Sequence, residues 1–175
     1  AITYGTVFPY ELQGFESPLA RASLAQPLGA IASLTNMVTT GVFARFPNLK
    51  VVFCEAGLAW LPFVSNALDA QYRFLREDTP ELTELPSTYI RRQVWVTAHP
   101  LPELSHAAAF ANLAQLVGHD RILFASDWPH YDHVLPEALS LLVPDAVERR
   151  LLASENARNL FRLSSPALAP TKTSD

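Results

Sequence analysis

The sequence predicts an α/β fold made of parallel βα units, and two observations support this. Four short apolar segments rich in Val, Ile and aromatic residues recur along the chain, as expected for strands covered on both faces. The intervals between them are long enough to hold a helix and show helical spacing of apolar residues. Such units form either an open doubly wound sheet or part of a TIM-like (β/α)8 barrel. No G-x-G-x-x-G or Walker-type loop follows any strand, so a nucleotide-binding open sheet has no local support.

The predicted strands begin near the N-terminus and are spread along most of the chain. They are residues 2–8 (ITYGTVF), 49–54 (LKVVFC), 93–98 (QVWVTA) and 121–125 (RILFA). Each is bounded by turn-forming or polar residues, and none is long enough to be a helix of typical length.

The intervening segments predict helices. Apolar residues recur close to the 3.6-residue period in 28–47, 60–78 and 101–120. Pro47 is expected to end the first of these helices, and Gly118 is expected to end the third. Two shorter helices are predicted at 144–153 and 154–161, with Ser154 as the N-cap of the second.

Composition excludes several classes of protein. Hydrophobic residues make up 49% of the 175 residues, enough for a buried core, and the net charge is −4 without a basic stripe. We therefore expect no nucleic-acid partner. No apolar run reaches membrane-spanning length and the N-terminus lacks a signal-peptide pattern, so a cytoplasmic protein without a membrane partner is expected. Cys54 is the only cysteine; it excludes a disulfide framework and is interpreted as a buried, inert thiol.

Ionisable residues follow three of the predicted strands. Glu55 follows the second, His99 the third and Asp127 the fourth. In a barrel the carboxyl ends of the strands form one rim, where catalytic residues lie. We therefore expect these three side chains to converge.

The chemistry of these positions leaves alternatives open. Asp127 could bind a divalent metal, orient a metal-bound water or act as a base, or it could only cap the next turn. His130 and His133 could be ligands or support ligands, or they could be surface residues. Glu55 suits acid–base work if solvent access is restricted, and is otherwise an exposed strand-end acid. Four arginines are candidates to bind a substrate carboxylate, or are ordinary helix-surface charges: Arg45, Arg73, Arg91 and Arg92.

Four stretches, taken in order and spacing, resemble a known family. They are GVFARFPNLKVVFCEAGLAWLPF, LPSTYIRRQVWVT, GHDRILFASDWPHYD and ENARNLFRL. Together they are similar to the C-terminal half of the amidohydrolase-related family, which includes aminocarboxymuconate-semialdehyde decarboxylase and γ-resorcylate-type decarboxylases. The resemblance covers residues 39–163, and the combination of SDWPHYD with ENARNLF is its most specific part.

The resemblance implies a (β/α)8 barrel with one divalent metal, commonly zinc and sometimes manganese. It implies a hydrolase or carboxy-lyase for a small carboxylated, aromatic-derived substrate. Asp127 resembles the metal-side aspartate after the eighth strand, and His130 a residue of the same pocket. Glu55 stands where decarboxylases of the family often have a catalytic His, and is expected to act in acid–base catalysis with His130. His99, Trp128 and Arg73 are expected to bind substrate.

The sequence also departs from the family. It contains no H-x-H pair, which supplies metal ligands on the family's first strand. We therefore interpret residues 1–163 as the C-terminal part of a barrel domain, about strands five to eight, and 164–175 as a flexible tail. A homo-oligomer is expected, because an incomplete barrel exposes apolar surface.

Two other hypotheses remain open at this point. In the first, the chain is a non-catalytic binding or structural subunit that kept the architecture and has no metal. In the second, it is an unrelated open α/β domain in which Asp127 only caps a turn.

Overall fold

The computed structural model of the chain describes residues 14–101 and 106–164. Helices and strands alternate along them. The helices are α1 (Pro18–Thr39), α2 (Val42–Arg45), α3 (Trp60–Leu75), α4 (Pro86–Gln93), α5 (Ala107–Val117), α6 (Pro136–Leu142), α7 (Ala146–Arg150) and α8 (Asn156–Phe161). The strands are β1 (Val51–Phe53), β2 (Val94–Thr97) and β3 (Ile122–Leu123).

The three strands form a parallel sheet in the order β1-β2-β3. Val52 pairs with Trp95, and Val96 pairs with Ile122. Each strand lies beside the next one in the chain, so all three carboxyl ends lie at one edge of the sheet. This sequential order fits an arc of a barrel, whereas a doubly wound sheet reverses its strand order at a switch point. The described residues thus confirm an α/β fold with parallel strands.

Both faces of the sheet are covered, as the apolar composition of the strands predicts. On one face Val51, Phe53 and Ile122 pack in a large core with residues of the helices, among them Leu34 and Phe110. On the other face Val52, Trp95 and Leu123 form a smaller cluster, against which Ala157 and Leu160 of α8 pack. Complete burial of a side chain such as Leu34, which is 0% exposed, contributes about 2 kcal/mol to stability.

Three of the four predicted strands are present, and each is shorter than its apolar run. Residues 49–54, 93–98 and 121–125 contain β1, β2 and β3. The predicted strand 2–8 lies outside the described residues. The apolar runs extend past the paired backbone because their flanking residues also contribute to the core, and Ala98, one residue past β2, is only 1% exposed.

The first predicted helix differs most from expectation. The prediction was a single helix over 28–47, but α1 begins ten residues earlier, at Pro18, and ends at Thr39. Gly41 then takes a left-handed backbone with φ 71°, which separates α1 from α2. Glycine adopts this conformation at low cost, and it interrupts the helical hydrogen bonds despite continuous apolar spacing.

The C-terminal helices also require a correction. Ser154 is not an N-cap, because a π-helical turn at Leu151–Glu155 connects α7 to α8 without a break. The cap lies at Asp145, whose carboxylate accepts hydrogen bonds from the N–H groups of Val147 and Glu148 at 3.0 and 2.8 Å. Helices α4 and α6 were not predicted individually; both begin with Pro at the first turn.

The helix predicted at 60–78 corresponds to α3 followed by a 3-10 turn at Arg76–Asp78. The one predicted at 101–120 corresponds to α5, which ends as expected before Gly118. Within the described ranges, no helix has the length and apolar character that a membrane span requires.

Candidate metal-binding site

Two carboxylates lie on strained backbone beyond the ends of β1 and β3. Glu55 has φ 60° and Asp127 has φ 57°, both in the left-handed region that residues with a Cβ rarely adopt. Strained residues of this kind cluster at functional sites, where the surrounding structure keeps them in place. Between them, beyond β2, His99 is buried, with 2% of its surface exposed.

Hydrogen bonds between neighbouring strand ends position Glu55 and His99. The Glu55 N–H donates to Thr97 Oγ1 at 3.0 Å, and the Gly57 N–H donates to the His99 carbonyl at 3.1 Å. Trp60 Nε1 donates to the Gly57 carbonyl at 3.0 Å, which fixes this turn to the start of α3. The loop after β1 is therefore attached to the end of β2.

The loop after β3 is closed by its own backbone. The Val134 N–H donates to the Ser126 carbonyl at 2.8 Å, and the His130 N–H donates to the Asp127 carbonyl at 2.8 Å. These bonds fold the polar segment SDWPHYDH back over the strand ends. As a result Asp127 and Asp132, five positions apart, come to the same place.

Three side chains converge there in a pattern suited to a metal ion. His99, Asp127 and Asp132 each offer one ligand atom, and these atoms lie within 4.8 Å of one another. One imidazole nitrogen and two carboxylate oxygens form a donor set that zinc and manganese accept. Three protein ligands with further positions open is also the usual arrangement of a catalytic metal site.

The two ring nitrogens of His99 differ in their hydrogen bonding. Its Nε2 lies 3.2 Å from the Asp132 carbonyl oxygen, which only accepts hydrogen bonds, so Nε2 carries the proton. Within the described structure Nδ1 is buried without a hydrogen-bond partner. A buried polar atom without a partner is costly, and a bound cation would satisfy it.

His130 lies beside both carboxylates. Its Nδ1 is hydrogen-bonded to Asp132 Oδ1 and lies 3.2 Å from Asp127 Oδ2. The hydrogen bond to Asp132 raises the pKa of His130, and the charges of Asp132, Asp127 and Glu55 raise it further. The same hydrogen bond lowers the pKa of Asp132. In its protonated form His130 reduces the repulsion between the two adjacent carboxylates.

A cavity of about 500 Å³ opens over these groups, and we call it the strand-end cavity. One wall consists of residues from the loops after the strands, including the acids Glu55, Asp127 and Asp132. The other wall is the first part of α1, from Pro18 to Pro27. A volume of this size accommodates a small substrate.

The structure brings together four of the six residues predicted from the sequence. Glu55, His99, Asp127 and His130 all line the strand-end cavity. Trp128 does not line it; it is 69% exposed, and its ring meets that of His133 edge-on at 4.6 Å. Arg73 is exposed on α3 and does not line it either.

Sequence reasoning did not select Asp132, and it assigned His99 to substrate rather than to metal. The signal for Asp132 was its place in SDWPHYDH, two residues after His130. Only the backbone bonds that fold this loop show that it meets Asp127. Arg21, also in the cavity wall, precedes the region of resemblance, and nothing in its sequence context distinguished it.

Cys54, just before Glu55, is less buried than the sequence predicts. It is partly buried, and burial together with the neighbouring charge of Glu55 raises its thiol pKa. The thiolate form needed for nucleophilic attack or metal binding is therefore disfavoured.

Comparison with protein families gives one match. The model of the amidohydrolase family matches residues 23–163, which include β1 to β3 and every acid and histidine of the strand-end cavity.

Comparison with solved structures gives the same fold. An amidohydrolase from Mycobacterium avium subsp. paratuberculosis is 24% identical with a TM-score of 0.71, and the match covers 90% of this chain and 39% of that one. The 5-carboxyvanillate decarboxylase of Sphingomonas paucimobilis is 24% identical with a TM-score of 0.67, covering 86% and 44%. A dihydroxybenzoic acid decarboxylase from Polaromonas, solved with manganese and 2-nitroresorcinol, is 20% identical with a TM-score of 0.64, covering 79% and 41%. The chain thus spans less than half the length of these proteins.

Proposed function

Because the chain belongs to the amidohydrolase family, whose model matches residues 23–163, we propose that it forms part of a metal-dependent carboxy-lyase. The substrate is a small carboxylated aromatic acid, which loses CO2 in exchange for a proton. The residues described above supply the metal side of the site. In the assembled enzyme the three strands, with the predicted strand at 2–8, occupy about positions five to eight of a (β/α)8 barrel.

The convergence of His99, Asp127 and Asp132 is the observation that carries this proposal. Three potential ligand atoms lie within 4.8 Å of one another, one on a buried imidazole and two on carboxylates from the loop after β3. Repulsion between the two carboxylates opposes such an arrangement; His130, which contacts both, offsets part of it, and a divalent ion would offset it further.

A divalent ion bound there would supply a Lewis acid that polarises an oxygen of the substrate. Manganese and zinc are both compatible with the nitrogen and carboxylate donors. Manganese is present in the related dihydroxybenzoic acid decarboxylase, and this supports manganese as the first metal to test.

The residues of this chain have separate roles in the reaction. Asp127, His99 and Asp132 would bind the metal. Glu55 and His130, which line the same cavity, are placed to exchange a proton with the substrate. As the bond between the ring carbon and the carboxyl carbon breaks, its electron pair remains on the ring carbon, that carbon accepts the proton, and CO2 leaves. The hydrogen bond of His130 to Asp132 and its contact with Asp127 orient its ring for this transfer.

Metal binding is the first test of the proposal. We expect isothermal titration calorimetry with Mn²⁺ to give one site per chain, weakened at least about tenfold in His99→Ala, Asp127→Asn and Asp132→Asn. Asp78→Asn is the matched control, since Asp78 is an exposed carboxylate in the 3-10 turn after α3. Absence of a site, or the same loss in Asp78→Asn, contradicts the proposal.

Turnover is the second test. We expect CO2 release from 2,6-dihydroxybenzoate or 5-carboxyvanillate to require Mn²⁺ or Zn²⁺ and to be lost in Asp127→Asn. If the assembled enzyme binds metal but releases CO2 from neither acid, the decarboxylase assignment fails. A chain that binds neither metal nor these acids would instead be the non-catalytic subunit that the sequence left as an alternative.

A further inference from the structure

We propose that Arg21, on the first turn of α1, binds the carboxylate of the substrate and sets the preference of the site for acids over neutral analogues. This inference rests on the proposed function for the identity of the substrate, but its geometry is independent of the metal. Arg21 lies outside the strand-end loops that contain the candidate metal ligands.

The position of Arg21 in the cavity is the first argument. The strand-end cavity has two walls, one of strand-end loops and one of α1, and Arg21 belongs to the second. Among the described residues that line the cavity, it is the only lysine or arginine. An anionic group that enters the cavity therefore meets one permanent cation.

The charge of the cavity is the second argument. Glu55, Asp127 and Asp132 line the opposite wall, and together they repel an anionic ligand. A divalent ion offsets this repulsion at its own position only. A carboxylated ligand is best accommodated when its carboxylate is directed away from the acids, towards Arg21.

The donors of Arg21 are the third argument. Its Nε donates to the carbonyl of Phe15, three residues before α1, which restrains the guanidinium. None of the salt bridges between described residues involves Arg21. Its two terminal nitrogens take part in none of these ion pairs, and a planar guanidinium binds a carboxylate through two parallel hydrogen bonds.

The neighbours of Arg21 indicate what is attached to that carboxylate. Pro18, Ala22 and Pro27 lie on the same wall, and Pro100 lies on the facing one. These side chains are short or rigid and carry no charge, so they provide flat apolar surface for a ring. The wall of α1 thus suits an aromatic acid better than a flexible aliphatic one.

A binding experiment with two nearly isosteric probes tests the proposal. Benzoate and benzamide have similar shape and differ in charge, and both are titrated in EDTA by ligand-observed NMR so that no metal contributes. We expect the full chain to bind benzoate more tightly than benzamide. Arg21→Gln should weaken benzoate binding about tenfold, since hydrogen bonds to charged groups have effects of this order, and should leave benzamide binding within about twofold.

The controls make the result specific. Arg73→Gln is the matched variant, because Arg73 is an exposed arginine outside the cavity, and it should change neither probe. Arg21→Lys should retain part of the preference for benzoate, which shows that the site is intact when position 21 remains cationic. The proposal is overturned if the wild-type chain does not prefer benzoate, or if Arg21→Gln keeps the preference.

Failure of this proposal and failure of the proposed function are distinguishable. Loss of the benzoate preference with an intact Mn²⁺ site would refute only the role of Arg21. A benzoate preference that depends on Arg21 in a chain that does not bind Mn²⁺ would refute only the metal-dependent function.

Discussion

At the scale of single residues, the left-handed backbone of Glu55 and Asp127 connects stability with function. Their φ angles are 60° and 57°, and both residues line the strand-end cavity. A residue with a Cβ pays about 1 to 2 kcal/mol for this conformation, and glycine does not. The presence of an acid at both strained positions therefore favours a role that glycine could not fulfil.

We expect Glu55→Gly to raise the free energy of unfolding by up to about 1 kcal/mol, because the strain is relieved and only part of the gain is offset by glycine's greater unfolded-state entropy. Urea denaturation monitored by circular dichroism measures the change. Glu137→Gly, in the first turn of α6, is the control and should lower stability, since glycine disfavours helix. A loss of stability in Glu55→Gly equal to that in Glu137→Gly would show that Glu55 has a structural role.

A second residue-scale prediction concerns pH. Partial burial acts to raise the pKa of Asp120, but the hydrogen bond from Arg91, at 2.7 Å, and the charges of Arg91 and Arg121 together lower it. The folded-state pKa is therefore below the unfolded value of about 3.9. The stabilisation that the ionised Asp120 provides is present at pH values above the unfolded-state pKa. It is lost as the pH falls through the folded-state pKa.

We accordingly expect Asp120→Asn to cost about 0.5 kcal/mol at pH 7, since this carboxylate is half exposed, and to cost less at about pH 3. The free energy of unfolding of the wild-type chain and of Asp120→Asn is measured in urea at both pH values. A cost that does not change with pH would mean that Asp120 acts through its shape or backbone and not through its charge.

The residues of the candidate site were only partly predictable from the sequence, for a physical reason. Glu55, His99 and Asp127 follow apolar runs directly, and parallel strands bring such positions to one edge. Asp132 meets Asp127 through the fold of a loop, and Arg21 reaches the cavity through the length of α1. Neither contact is encoded in local spacing, so neither could be inferred before the tertiary structure.

At the scale of elements, the π-helical turn between α7 and α8 attaches the C-terminal helices to β3. The Phe124 N–H donates to the Leu152 carbonyl at 2.9 Å. Asn156, which is 5% exposed, donates from Nδ2 to the carbonyls of His119 and Ile122 at 2.7 and 2.8 Å. The segment ENARNLF thus stabilises the fold, because the side chain of Asn156 donates to one carbonyl just before β3 and to another at its first residue.

We expect Asn156→Ala to destabilise the chain by about 2 to 3 kcal/mol, because two carbonyls in a buried environment lose their donor. Asn159→Ala is the matched control; Asn159 is exposed on the same helix and its loss should change stability by less than about 0.5 kcal/mol. Thermal unfolding measures the stability of the two variants relative to the wild-type chain. Equal effects would mean that helix propensity, not the buried hydrogen bonds, determines the result.

The elements themselves were predicted best where pattern and packing agree. The three described strands fall inside the predicted runs, because short Val- and Ile-rich segments are typical of strands that are covered on both faces. The break at Gly41 and the π-helical turn at Leu151–Glu155 were missed, since apolar spacing continues across both. A Cβ at Gly41 would lie 2.7 Å from Glu81 Cβ, so the break depends on a tertiary contact that the local pattern does not contain.

At the scale of the whole molecule, the candidate metal site connects segments that are distant in the chain. His99 follows β2, whereas Asp127 and Asp132 follow β3, and α5 lies between them. An ion bound by all three would link the ends of this βαβ unit, and it would oppose separation of the strand-end loops. Because the unfolded chain does not preserve this geometry, ligation should stabilise the folded state specifically.

We expect Mn²⁺ at about 100 times its dissociation constant to add about 2.7 kcal/mol to the stability of the chain. For a protein of 175 residues this corresponds to a rise in Tm of about 5 to 10 °C, which EDTA should reverse. Asp132→Asn should lose most of the rise, whereas Asp78→Asn should keep it. Ca²⁺, which prefers a larger set of oxygen ligands, should have a smaller effect than Mn²⁺ because one donor is an imidazole. An equal rise in Tm with Ca²⁺, or a full rise in Tm for Asp132→Asn, would contradict this prediction. Either result would mean that the ion binds to exposed carboxylates elsewhere and that His99 is not one of its ligands.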